Sequence, residues 1–183
     1  MKWSPVQTEA DKKGYLIFAM SQGQTDVTTQ PGPWGNAYSG FCAGCVVRWI
    51  ALRYGHSDFP FDPKTKVLEL PDWKTTRDQN IYEDSNAAFP DDLVPAFANY
   101  GLLLNKGRMT DKAQAATGAH LKNAGLGAEG CYYIALRRTG GGHAVAMQNC
   151  GSGKWRFFDA NFGEFEAVTT AQTPTGFAGF IDW

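Results

Sequence analysis

The chain of 183 residues is 43% apolar and 14% aromatic, the composition of a packed globular protein, and it is long enough to bury roughly two-thirds of its unfolded surface without disulfides or metals. A formal net charge of −1 gives no electrostatic reason to expect a nucleic acid or an anionic membrane surface as partner. No apolar run reaches the roughly 18 residues needed to cross a bilayer. The opening Met1-Lys2-Trp3-Ser4-Pro5 has neither a signal-peptide core nor the glycine at position 2 used for myristoylation, so no stable membrane anchor and no general secretory export are expected.

Residues 1 to 41 are rich in Gly, Pro, Gln and Thr, with one ordered-looking stretch from Gly14 to Met20. A helix is expected from about Cys42 to Tyr54, closed by Gly55 as its C-cap. Residues 56 to 82, dense in Asp, Pro and Lys, read as a long surface excursion. Asp91 to Gly101 reads as a second helix, with acidic residues at its start, Pro95 in its first turn and a terminal glycine. A third begins at Thr110-Asp111 and runs to about Asn123. From Gly130 the pattern changes to short apolar or alternating runs: Cys131 to Leu136, His143 to Gln148, Lys154 to Asp159, Glu164 to Val168 and Phe177 to Asp182. Gly140-Gly141-Gly142, Gly151-Ser152-Gly153 and Ala160-Asn161-Phe162-Gly163 punctuate these runs as the turns of an antiparallel meander. With no internal repeat or linker, residues 1 to 183 are expected to form one domain of the α+β class, helices first and the sheet in the last third.

The four cysteines are Cys42, Cys45, Cys131 and Cys150. One Cys-x-x-Cys pair with two lone cysteines is not a disulfide framework in a chain of this length, so all four are read as reduced thiols. Structural zinc would need a second such pair or a closely spaced histidine pair. A thioredoxin-like redox pair needs a preceding strand and a parallel βαβ context, whereas Cys42 follows a polar loop. Neither a metal nor an organic cofactor is expected.

At the start of a helix, Cys42 would feel the positive end of the macrodipole and the unpaired N–H groups there, both of which favour the thiolate. Cys45 would lie one turn further in among Val46, Val47 and Ile50. Taken alone, both cysteines equally suit small buried positions, so the histidines decide more. His56 follows the helix and would lie at its far end, roughly 20 Å from Cys42. His120 sits in the third expected helix with no polar partner in its own turn. His143 opens a strand after three glycines, and the next strand ends at Asp159, so a hairpin would bring the two side by side. A carboxylate there can hold the imidazole in one tautomer and stabilise its charged form. Separately, His143 is better read as a hairpin-end residue and Asp159 as an Asx-turn; together with Cys42 they read as base, orienting acid and nucleophile. Acyl transfer also needs oxyanion donors. The Cys42 N–H is one, and the Asn36 side chain is a second, with Gln30 and Gln24 competing and a plain turn role beside Gly35 equally open.

These residues resemble the YopT/AvrPphB type of papain-like cysteine protease, bacterial effectors injected into host cells. Its nucleophile segment, Gly-x-Cys-x-Gly-Leu-Ser-x-x-Trp, is matched at Gly40, Cys42, Gly44 and Trp49, with Cys45-Val46 in place of Leu-Ser. Its His-Ala-[Ile/Val] strand is matched by His143-Ala144-Val145, and its Asp-x-Asn-[Phe/Tyr]-Gly-Glu-Phe segment by Asp159 to Phe165. The resemblance implies a papain-like fold with the nucleophile at the start of a helix packed on a C-terminal antiparallel sheet. It implies a cysteine endopeptidase with catalytic Cys42, His143 and Asp159 and a protein or peptide substrate, with Asn36 kept as the candidate for the oxyanion hole. An inhibitor or immunity protein is a further candidate partner, and the location is the bacterial cytoplasm or a target cell reached by specialised secretion. The same constellation also serves deamidases, transglutaminase-like acyltransferases and cell-wall amidases, and a non-catalytic binding protein could keep the scaffold.

Overall fold

The computed structural model describes residues 3–21, 40–68, 72–105, 128–138 and 141–168. Its first helix, α1 (Pro5–Lys12), begins with a capping box: the Ser4 hydroxyl accepts from the Gln7 N–H, and the Gln7 side chain accepts from the Ser4 N–H. Pro5 fits the first helical position, where no N–H is needed. Strand β1 (Leu16–Ala19) follows and joins the edge of a sheet whose other strands are β2 (Gly130–Arg138), β3 (Gly141–Asn149), β4 (Lys154–Asp159) and β5 (Gly163–Val168). The strand order is β1-β5-β4-β3-β2 and every pairing is antiparallel. Where β1 meets β5, Gly163 has φ 121° and a Cβ there would lie 2.0 Å from the Phe18 carbonyl oxygen, so only glycine lets the strands approach. Gln7, almost fully buried, donates to the Met20 and Phe162 carbonyls at 3.0 and 2.6 Å, tying α1 to the end of β1 and to the turn between β4 and β5.

Helix α2 (Cys42–Tyr54) lies on the sheet and buries Cys45, Val46, Val47, Trp49 and Ile50 among Phe18, Ala144, Ala146 and Phe158. Burying apolar side chains of this size stabilises by roughly 1.5–3 kcal/mol each. Polar contacts fix the position of the helix within this core. The Trp49 indole N–H donates to Glu164 of β5 at 2.9 Å, and its ring stacks on Phe158 at 5.8 Å. Glu164 is completely buried and also faces Arg53 at 3.6 Å and Arg156 at 3.2 Å. Burial pushes its carboxyl up to about 7, against the opposing pull of Arg53 and the Trp49 hydrogen bond.

Helix α3 (Trp73–Asp84) packs on the other side of α2, starting from Asp72, which accepts from the Thr75 N–H as N-cap. Contact is close at Gly44, where a Cβ would meet the Thr75 carbonyl oxygen at 2.5 Å and the Gln79 nitrogen at 2.8 Å. A short 3-10 turn (Asp91–Leu93) leads into α4 (Val94–Ala98), and Asp78 of α3, accepting from Arg77 and the Tyr100 hydroxyl, holds the segment after α4.

The α+β reading holds, with helices on one antiparallel sheet, although β1 comes from the N-terminal part of the chain. The 56–82 stretch is corrected. Residues from Trp73 are helical because α3 docks through backbone approach and hydrogen bonds, and its buried positions, Thr75, Asp78 and Gln79, are polar. Residues 1 to 41 likewise contain α1 besides the expected ordered stretch. Gly141 and Gly142 belong to β3 and not to its preceding turn. Gly55 is the C-cap of α2 as expected, at φ −80°, and the left-handed residue is the next one, His56, at φ 53°. The expected third helix, with His120, and the Phe177 to Asp182 strand lie outside the described residues.

Gly44→Ala should cost about 1–3 kcal/mol through overpacking against α3, visible as a lowered urea midpoint with an unchanged m-value. Trp49→Phe keeps the ring but deprives buried Glu164 of a donor, and should cost about 1–3 kcal/mol by the same measurement.

Candidate active site

Three elements bring Cys42, His143 and Asp159 together. Cys42 is the first residue of α2 and is partly exposed, whereas Cys45, one turn on, is completely buried. Cys131 on β2 and Cys150 after β3 are also free thiols, distant in sequence from both. The hairpin between β3 and β4 turns through Gly151, Ser152 and Gly153, all at positive φ, and sets Val145 opposite Asp159. His143 and Val145 share a face because side chains alternate along a strand. His143 therefore lies diagonally across from Asp159, with its Nε2 2.9 Å from Asp159 Oδ1. The same carboxylate oxygen accepts the Asn161 N–H at 2.7 Å, so Asp159 makes an Asx-turn and holds the imidazole at once.

On its other side His143 is hydrogen-bonded to Cys42. The Asp159 hydrogen bond, reinforced by that to Cys42, pushes His143 up to about 10 despite partial burial. Burial alone would raise the Cys42 thiol, but hydrogen bonding from His143 and from the Ala144 and Ala43 amides outweighs it and the thiol falls below its ordinary value. The favoured state is thus a thiolate–imidazolium pair backed by a carboxylate. Cys45 is pushed well above the ordinary range by burial, and Cys131 up to about 12, so neither is a nucleophile near neutrality.

His56 lies at the opposite end of α2, as its spacing implied. Asn36, Gln30 and Gln24 lie outside the described residues. Sequence reasoning missed Gln79, whose side chain reaches the first turn of α2, and Tyr133 of β2, which is close enough to Cys42 to feel its charge. Nothing in the local sequence of α3 marks Gln79; its partner, Gly44, is the only sign that another backbone approaches there.

A cysteine at a helix start facing a histidine and an acid on an antiparallel sheet is the arrangement of papain-like cysteine proteases. A peptidase family model described as "Yersinia/Haemophilus virulence surface antigen" matches residues 103–178, a span that includes His143 and Asp159 and begins after Cys42. The crystal structure of the Pseudomonas avirulence protein AvrPphB is similar at 18% identity and a TM-score of 0.53, over 85% of this chain and 82% of that one. A comparison with curated proteins finds no match. The resemblance to the YopT/AvrPphB type is borne out by family model and structure together.

The charge state of the pair sets a pH window. Iodoacetamide should alkylate Cys42 well before Cys45, Cys131 or Cys150 at pH 7, read by peptide mass spectrometry. Asp159→Asn removes the main cause of the raised His143 and should move the alkaline limb of the Cys42 reactivity profile, expected near pH 10, downward.

Proposed function

We propose that the chain is a cysteine endopeptidase acting on proteins or peptides through Cys42, His143 and Asp159. The Cys42 thiolate attacks the scissile carbonyl carbon, forming a C–S bond and an oxyanion stabilised by the Cys42 N–H and the Asn36 side-chain amide. Collapse breaks the C–N bond as imidazolium His143 gives its proton to the departing amine, leaving a thioester. Neutral His143 then takes a proton from water, whose oxygen displaces the thiolate as the carboxylic product leaves. Asp159 keeps Nε2 of His143 engaged so that the other ring nitrogen faces sulfur.

The observation that carries this reading is the position of His143, hydrogen-bonded to Cys42 on one side and 2.9 Å from Asp159 on the other. The match to a virulence-associated peptidase family supports delivery by a specialised secretion system into a target cell, with a host protein as substrate. No helix among the described residues is long and apolar enough to cross a membrane.

Lysates exposed to the wild-type protein should show new protein N-termini that are absent with Cys42→Ala or His143→Ala, both of which should melt close to wild type. Cys45→Ala should retain cleavage. Release of ammonia, or isopeptide products without new termini, would replace peptidase with deamidase or acyltransferase chemistry.

A further inference from the structure

A helix leaves its first N–H groups without intrahelical partners, and in α2 each can be followed. The Cys45 N–H is the first to be paired within the helix, with the Phe41 carbonyl at 2.9 Å. The N-cap residue, Phe41, has no capping side chain. The Gly44 N–H instead donates to Oε1 of Gln79 at 2.8 Å, a buried bond reaching across from α3. The Ala43 amide hydrogen-bonds the Cys42 sulfur, and the Cys42 amide is the one proposed above for the oxyanion. Gln79 is almost fully buried, and its Nε2 donates to Glu83 at 2.9 Å, which fixes which end of the amide faces Gly44. The absence of a side chain at Gly44 is what admits α3 to this distance.

We propose that Gln79 is a positioning residue for the reaction: a neutral cap, supplied from a neighbouring helix, that fixes the first turn of α2 while leaving the Cys42 and Ala43 amides to the thiolate and the oxyanion. This inference rests on the endopeptidase reading of Cys42. Neutrality is the informative property. A carboxylate at the same place would make a stronger, charge-assisted bond to the Gly44 N–H, offsetting part of its cost of burial. It would also set a full negative charge within one turn of the thiolate and oppose its formation. Glu83 carries the negative charge one helical turn further out, at the exposed end of α3. Among the described residues, the other ionisable groups facing Cys42 are His143 of β3, with Asp159 of β4 behind it, Tyr133 of β2 and Cys45 of its own helix.

The test is a charge-conserving exchange in the full chain, Gln79→Glu combined with Glu83→Gln, read by the pH dependence of Cys42 alkylation and by thermal melting. The exchange should melt close to wild type, yet its reactivity midpoint should rise by about one pH unit, making alkylation roughly tenfold slower below both midpoints. An intact fold with an unmoved midpoint would overturn the proposal. If the exchanged protein does not fold, Gln79→Met decides: it removes the acceptor while keeping length, and a wild-type midpoint in that variant would equally overturn it. The readout needs no substrate. A wild-type Cys42 no more reactive than an ordinary thiol would sink both this inference and the endopeptidase reading, whereas a reactive Cys42 without peptide cleavage would sink only the latter.

Discussion

The rest of the structure depends on the hydrogen bond from the Trp49 indole to Glu164. It joins the helix that begins at Cys42 to the strand that follows Asp159, and it does so inside the core, where no water can substitute. This donor and acceptor restrict sliding of the helix along the sheet, because apolar packing against Phe18, Ala144 and Phe158 tolerates small slides that the bond does not. The carboxylate is costly to bury, and Arg53 and the Trp49 hydrogen bond offset only part of that cost. Such a group stabilises little but specifies one alignment of helix on sheet, and the separation of sulfur from imidazole depends on that alignment.

Around the site the same forces act in opposite directions on chemically identical groups. Burial opposes ionisation at both Cys42 and Cys45. Only Cys42 gathers compensating partners, because only the first turn of a helix has amides to spare and only Cys42 meets His143 at the start of β3. The difference between a thiol held below its ordinary pKa and an inert core thiol is thus one turn of helix. His143 receives its partner from hairpin register, a property of backbone pairing that needs no further adjustment once Gly151 to Gly153 turn the chain.

Much of this was legible in the residues. Helix α2 was visible from its apolar spacing and flanking glycines, and β2 to β5 from short alternating runs between turn residues. The motif positions also carry physical meanings. Gly44 admits α3, Gly163 admits β1, and Trp49 and Glu164 bond to each other. Helix α3 was not legible, because periodicity detects apolar faces and its buried positions are Thr75, Asp78 and Gln79. Helix α1 had a readable signal in Ser4-Pro5-Val6-Gln7, which the surrounding Gly- and Pro-rich composition obscured. The partner of β1 could not be read at all, since nothing local distinguishes one distant strand from another.

That last pairing has a kinetic consequence. Leu16 lies opposite Phe165, so the sheet's first-made strand finds its neighbour only when almost the whole chain is available. Loop-closure entropy makes such a contact slow to form compared with the three hairpin pairings from β2 to β5. The meander can assemble by itself in sequence, while β1 and the α1 clasp on Phe162 close over it from the opposite end of the polypeptide. During folding, therefore, the edge of β5 is open until β1 docks on it. A strand edge left waiting in this way is a place where a chaperone, or a second nascent copy, can compete for the same hydrogen bonds.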